Sequence, residues 1–175
     1  MNRLLLATAP IALTASLLAS PPAYADDRRC AGTLRAVSID DNVIVPKGKT
    51  CTLVGTRIDG NVIVKGNAKL VAKGVRVGGN IQAENHRRVV VKPRWVDGKR
   101  KRSFVDGSIQ LKQGGGGRIL RVVVGSDIQL FSNNGRFEVR RNRVDGNLQC
   151  KSNNPRPIGG GNIVQGNKED QCRRL

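Results

Sequence analysis

Four aspartates, Asp59, Asp97, Asp106 and Asp145, each stand immediately before a glycine in a chain rich in lysine and arginine. Carboxylates that converge on a calcium ion beside a basic residue able to abstract a proton would make a polysaccharide lyase. That column is broken, because Gly78 and Gly125 occupy two of its positions, and Asp-Gly is ordinary turn chemistry. A glycosidase needs two opposed carboxylates close together, and the spacing singles out no such pair. His86 is the only histidine, and no Gly-x-Ser-x-Gly elbow accompanies it, so a hydrolytic triad lacks its nucleophile. Gly114 to Gly117 are four consecutive glycines without the lysine and following helix of a phosphate loop; they read as a flexible bulge at a corner. The threonines form no Thr-x-Thr ladder of the kind ice binding uses. The expectation is a protein that is not an enzyme and uses no cofactor and no metal.

What remains as chemistry is positive charge. Lysine and arginine number 31 against 13 acids, for a formal net charge of +18, while aromatics make up only 3% of the chain. The densest cluster is Lys99, Arg100, Lys101 and Arg102. Arg57 and Arg76 fall in register, Arg94 lies beside the same column, and Arg140, Arg141 and Arg143 come near it farther on. These residues are expected to bind an anionic polysaccharide or a phosphate polymer of the cell envelope. Phosphate-backbone binding of nucleic acid is the lesser alternative, since base stacking wants aromatics that are scarce here.

The elements that would position these cations follow from a repeat. Asn42-Val-Ile-Val, Asn61-Val-Ile-Val, Asn80-Ile-Gln-Ala, Ser108-Ile-Gln-Leu, Asp127-Ile-Gln-Leu and Asn147-Leu-Gln-Cys recur in steps of 19, 19, 28, 19 and 20 residues. A fixed period of this length marks a solenoid, in which each coil buries its apolar face on its neighbours. Strand alternation points Val43, Val62, Ile81, Ile109, Ile128 and Leu148 inward, with Val45, Val64, Ala83, Leu111, Leu130 and Cys150 two residues on. A second apolar patch follows in each coil (Leu53; Leu70 and Ala72; Val89 and Val91; Ile119; Phe137 and Val139; Ile158). A third precedes each turn: Ile58, Val77, Val96, Val124, Val144 and Val164. The fold class is therefore all-β, a single-stranded right-handed parallel β-helix of about six coils with three short strands per coil. Asn42, Asn61, Asn80 and Asn147 stack as a structural ladder at one corner. The outward column Ile44, Ile63, Gln82, Gln110, Gln129 and Gln149 reads as an amide ladder, with a neutral platform for glycan contact or lateral self-association as its alternative. The long step is a regular coil ending at Gly98 plus nine extra residues, 99–107, expected to protrude as a basic loop.

The ends carry their own signals. Arg3, the apolar run Leu4 to Leu18 and Ala23-Tyr24-Ala25 have the form of a secretory signal peptide over residues 1–25, leaving one domain over 26–175 with a net charge of +17. The apolar run is too short for the roughly 20 residues of a membrane span. Cys30, Cys51, Cys150 and Cys172 all fall in the exported part, where disulfides persist. Separations of 21 and 22 residues, about one coil each, place Cys30 beside Cys51 and Cys150 beside Cys172 on adjacent rungs. No Cys-x-x-Cys pair suggests a metal.

Ile58-Asp-Gly-Asn-Val-Ile-Val, followed by Ala68-Lys-Leu-Val-Ala-Lys-Gly-Val-Arg-Val-Gly-Gly-Asn-Ile, resembles the rungs of the bactofilin type of β-helix over roughly Asn42 to Gly146. The resemblance implies a polymer-forming cytoplasmic scaffold without an enzymatic site. The chain departs from that type in its signal peptide, cysteines, basic charge and insertion. Asn162 to Cys172 resembles the C-terminal caps of small secreted bacterial proteins. The expectation is a secreted, non-catalytic β-helix that binds anionic cell-surface or extracellular polymer. A self-assembling extracellular scaffold is the runner-up, and a polysaccharide-active enzyme comes third.

Overall fold

The computed structural model describes residues 27–175, so segment 1–25, expected from its sequence to be a signal peptide, lies outside the described residues. Within them the chain is all-β and winds as a three-walled parallel solenoid. The first wall has eight strands, from Arg28–Arg29 through Val62–Val64 and Ile109–Lys112 to Lys168–Asp170. The second has seven, from Thr33–Arg35 to Ile158–Gly160, and the third has seven, from Ser38–Ile39 to Ile163–Val164. That makes about eight turns rather than six. The repeat undercounts because the outermost strands are charged and lack the aliphatic motif. Backbone bonds add them: the amides of Arg28 and Leu148 donate to the carbonyls of Asn42 and Asn167 at 2.8 and 2.9 Å.

Alternation places the core as expected. Val43, Val62, Ile81, Ile109, Ile128 and Leu148 form one fully buried stack, and Val45, Val64, Leu111, Leu130 and Cys150 another. Each such large aliphatic side chain contributes roughly 1.5–3 kcal/mol on leaving water. Ile158 departs from its expected inward place. It pairs with outward-facing Glu138 and is 44% exposed, while Gly159 stands opposite buried Val139. A Cβ at Gly159 would come within 1.7 Å of the Val139 carbonyl oxygen, so no side chain can fill that position.

The four-glycine run is packed rather than flexible. A Cβ on Gly117 would fall 1.9 Å from the Val89 carbonyl oxygen, and one on Gly114 would fall 2.1 Å from Cε1 of His86. Gly117 belongs to the strand Gly117–Leu120, and Gly114 makes room for the buried imidazole.

Corners are turned by left-handed residues at corresponding places in successive coils. Asn67, Asn85, Gln113, Ser132 and Ser152 turn the first wall into the second, and Gly55, Gly74, Arg121, Arg141 and Gly161 turn the second into the third. A non-glycine residue there costs about 1–2 kcal/mol, offset by amide ladders inside each corner. Asn133 Nδ2 donates to Asn153 Oδ1 at 2.8 Å, and Asn142 Nδ2 to Asn162 Oδ1 at 2.9 Å; all four side chains are buried. At the remaining corner Asn42 Oδ1 accepts from the amide and side chain of Asn61 at 2.7 and 3.0 Å, and Asn61 serves Asn80 likewise.

Both disulfides form as the coil spacing predicts, Cys30 with Cys51 (Cα–Cα 5.4 Å) and Cys150 with Cys172 (5.2 Å). Each joins neighbouring coils near one end of the tube. The C-terminal turn folds back so that Leu175 is buried beside Cys172. Two disulfides fit an oxidising, extracytoplasmic environment, and no helix among the described residues is long and apolar enough to cross a membrane.

Candidate functional site

The extra residues of the long coil form a hairpin, not a loop at 99–107. Arg94–Val96 pairs antiparallel with Lys99–Lys101. Asp97 and Gly98 make the two-residue turn, both at positive φ (47° and 68°), the geometry in which Asp-Gly joins strands of native twist. The excursion therefore begins earlier than the Val-Asp-Gly repetition suggests. Phe104–Val105 is the strand that continues the third wall, in register with Arg76–Val77 and Val123–Val124. Val105, not Val96, is the buried residue of that coil, and Asp97 sits at the hairpin tip instead of in the turn column. Ser103 fastens the hairpin's base: its buried hydroxyl donates to the Lys92 carbonyl at 2.8 Å and accepts from the Val75 amide at 3.2 Å.

Cross-strand pairing fixes what each face of this ribbon carries. Arg94 and Lys101 share one face, and Trp95 and Arg100 share the other. On the inner face the Arg94 side chain lies flat across the corner glycines, where a Cβ on Gly55 or Gly74 would come within 2.6 Å of it. Between ribbon and third wall is a cleft of about 340 Å³ lined by Arg57, Arg76, Arg94, Lys101, Arg102 and Phe104, among others. The Arg76 guanidinium lies 5.1 Å from the centre of the Phe104 ring, which orients it at little entropic cost. Arg57 is paired with Asp59 at 2.9 Å.

A second group of cations acts electrostatically on Arg121. The Arg121 guanidinium is held below the usual arginine range, by desolvation and then by the charges of Arg100, Arg141, Arg102 and Arg140. Arg121 itself stands out little in the sequence, as a single arginine amid aliphatics. The only signal for it is its place one coil before Arg141 in the left-handed corner column. Arg140 also meets Glu138 at 3.4 Å. Of the expected site, Arg57, Arg76, Arg94, Lys101 and Arg102 come together in the cleft, and the charges of Arg100, Arg102, Arg140 and Arg141 act on Arg121. Lys99 is exposed beside the hairpin turn. Arg143 is not brought in: it stands two rungs beyond Phe104 and faces Asp145 at 3.6 Å.

The carboxylates collect elsewhere. Asp59, Asp106, Asp127 and Asp145 border the third-to-first corner, where Asp127 Oδ1 accepts from the Asn147 amide at 2.7 Å. No group of three or more metal-ligating side chains is found among the described residues. On the first wall Gln82, Gln110, Gln129 and Gln149 bond rung to rung at 3.1, 3.3 and 3.0 Å, and the last donates to Glu169 at 2.9 Å. The ladder thus spends its amides on itself. His86 is buried edge-on to Phe137, ring centres 6.0 Å apart, and neither ring nitrogen has a hydrogen-bond partner. Burial lowers its pKa to about 4, with the nearby Ala83 backbone offsetting part of the effect.

No protein-family model, curated protein or solved structure matches the chain.

Proposed function

We propose that this chain is an exported, non-catalytic β-helix that binds an anionic polysaccharide or phosphate polymer of the cell envelope through the hairpin and the wall beneath it. The observation that carries the reading is the convergence of Arg94, Lys101 and Arg102 of one excursion on Arg57 and Arg76 of two regular coils, in one cleft. A solvated surface has no need of such gathering, because like charges held together repel. Export is supported by the form of residues 1–25 and by the two disulfides. The rung motif supports kinship with the bactofilin type, but disulfide-tied coils near both ends weigh against end-to-end stacking.

The test is retention of residues 26–175 on immobilised heparin and on a teichoic-type phosphate polymer as salt is raised. Replacing Lys99, Arg100, Lys101 and Arg102 with serine is expected to weaken binding and to flatten the salt dependence, by about 0.7–0.9 in logarithmic slope for each anionic group that the protein no longer neutralises. The hairpin lies outside the regular rungs, so the variant should melt like the unmodified protein. Absence of retention at low salt in the unmodified protein would refute the proposal.

A further inference from the structure

The outer face of the hairpin carries a feature that charge alone does not explain. Trp95 is the chain's one tryptophan and is 65% exposed, while Phe104 is half-buried and Phe137 fully buried. The Arg100 guanidinium lies over the Trp95 ring, 5.0 Å from its centre, and braces an indole that is nonetheless 65% exposed. The charge of Arg100 also reaches Arg121, and Arg141 follows Arg121 in the same corner column one coil later. Coils repeat at about 4.8 Å, comparable to the length of one sugar unit in a chain. An oriented aromatic face beside cations repeating at that spacing suits a polymer of sugar rings that bear acidic groups. A bare phosphate chain has no apolar ring face to offer the indole. A membrane surface would call for further exposed apolar side chains on the ribbon, whose other residues are mostly charged.

We infer that Trp95 is a stacking platform for a pyranose ring of an acidic polysaccharide, with Arg100, Arg121 and Arg141 receiving the polymer's carboxylates or sulfates. This rests on the polyanion reading above and narrows it to saccharide acids.

Because Trp95 is the only tryptophan, selectively excited emission reports on this site alone. Titrating residues 26–175 with heparin or polygalacturonate is expected to shift or quench the emission, and titrating with inorganic polyphosphate to leave it nearly unchanged. Trp95→Ala should lower affinity for the polysaccharides roughly threefold to tenfold, the scale of one exposed stacking interaction, and leave polyphosphate affinity unchanged. Equal polysaccharide binding by Trp95→Ala and the unmodified protein would overturn this inference and leave the polyanion reading standing. Failure of the unmodified protein to bind any of the polymers would remove both. An emission shift with anionic phospholipid vesicles and none with polysaccharide would also overturn the inference, and would assign the face to membranes.

Discussion

Acidification should loosen this protein through one side chain. His86 is buried, its ring nitrogens have no partners, and its pKa is lowered to about 4. In the unfolded chain the same imidazole titrates near 6.5. Between those values the unfolded state binds a proton that the folded state refuses, so stability rises with pH across the window. It is fully present above about pH 6.5, falls as pH drops toward about 4, and changes no further below that on this group's account. The full gap corresponds to roughly 3 kcal/mol, somewhat under half of it lost by pH 5.5 and most of it by pH 4.5. Such a loss is a large fraction of the roughly 5–15 kcal/mol that holds a domain folded. Urea unfolding followed by circular dichroism at several pH values measures it, with His86→Leu as the comparison because leucine is of similar size and does not titrate. The unmodified protein should lose midpoint steadily below pH 6.5 while His86→Leu holds level to about pH 5, above the range where carboxylates titrate. Parallel losses in the two proteins over that interval would refute the reasoning.

Ile81→Asp or Ile128→Asp should abolish the cooperative melt, since each buries an unpaired carboxylate, whereas Gln110→Lys, which removes outward amide bonds, should cost no more than about 1.5 kcal/mol; similar melts for all three would mean that the wall register is wrong. Gly114→Ala should destabilise by about 1–3 kcal/mol through overpacking against His86, and much of that loss should vanish in a His86→Ala background. Strict additivity in that double-mutant cycle would show that the two residues do not touch.

The walls are legible in the sequence because the aliphatic stacks and the Asn and Gln columns share one period, and each disulfide pair is separated by about one coil. Legibility ends where a position's role depends on what lies on the rung above it. Ile158 looks like a core residue until Gly159 is seen against the Val139 carbonyl. The glycine run looks loose until His86 and the neighbouring backbone are seen filling the space. The hairpin escapes the repeat for a related reason. Trp95-Val-Asp-Gly and Phe104-Val-Asp-Gly are equivalent as sequence, and only the anchoring of Ser103 between Lys92 and Val75 decides that the second continues the wall. The site is affected accordingly: charge counting finds most of its cations, but Arg121 and the two-faced character of the ribbon depend on corner and hairpin geometry that charge counting does not contain.

Placement bears on whether the excess charge serves binding or only solubility. Arginines on neighbouring coils stand near 5 Å apart and repel by about 0.8 kcal/mol per pair in water before salt screening. Along the walls this is partly relieved by interleaved carboxylates, as in Arg57 with Asp59, Arg118 and Arg140 with Glu138, and Arg143 with Asp145. These exposed pairs are worth at most about 1 kcal/mol each, but they show that the fold can place an acid beside a base where it has one to spare. On the hairpin the only acid is Asp97 at the tip, and Arg94, Lys99, Arg100, Lys101 and Arg102 enter no ion pair among the described residues. The turn aspartates border a different corner of the tube, and none of them pairs with these cations. A chain selected only to remain soluble could disperse these cations over the coils at no structural cost. Concentrating them on an added ribbon, braced by Ser103 and seated on Gly55 and Gly74, creates repulsion that condensed counterions or a bound polyanion would relieve, and release of those counterions is the usual source of salt-sensitive affinity.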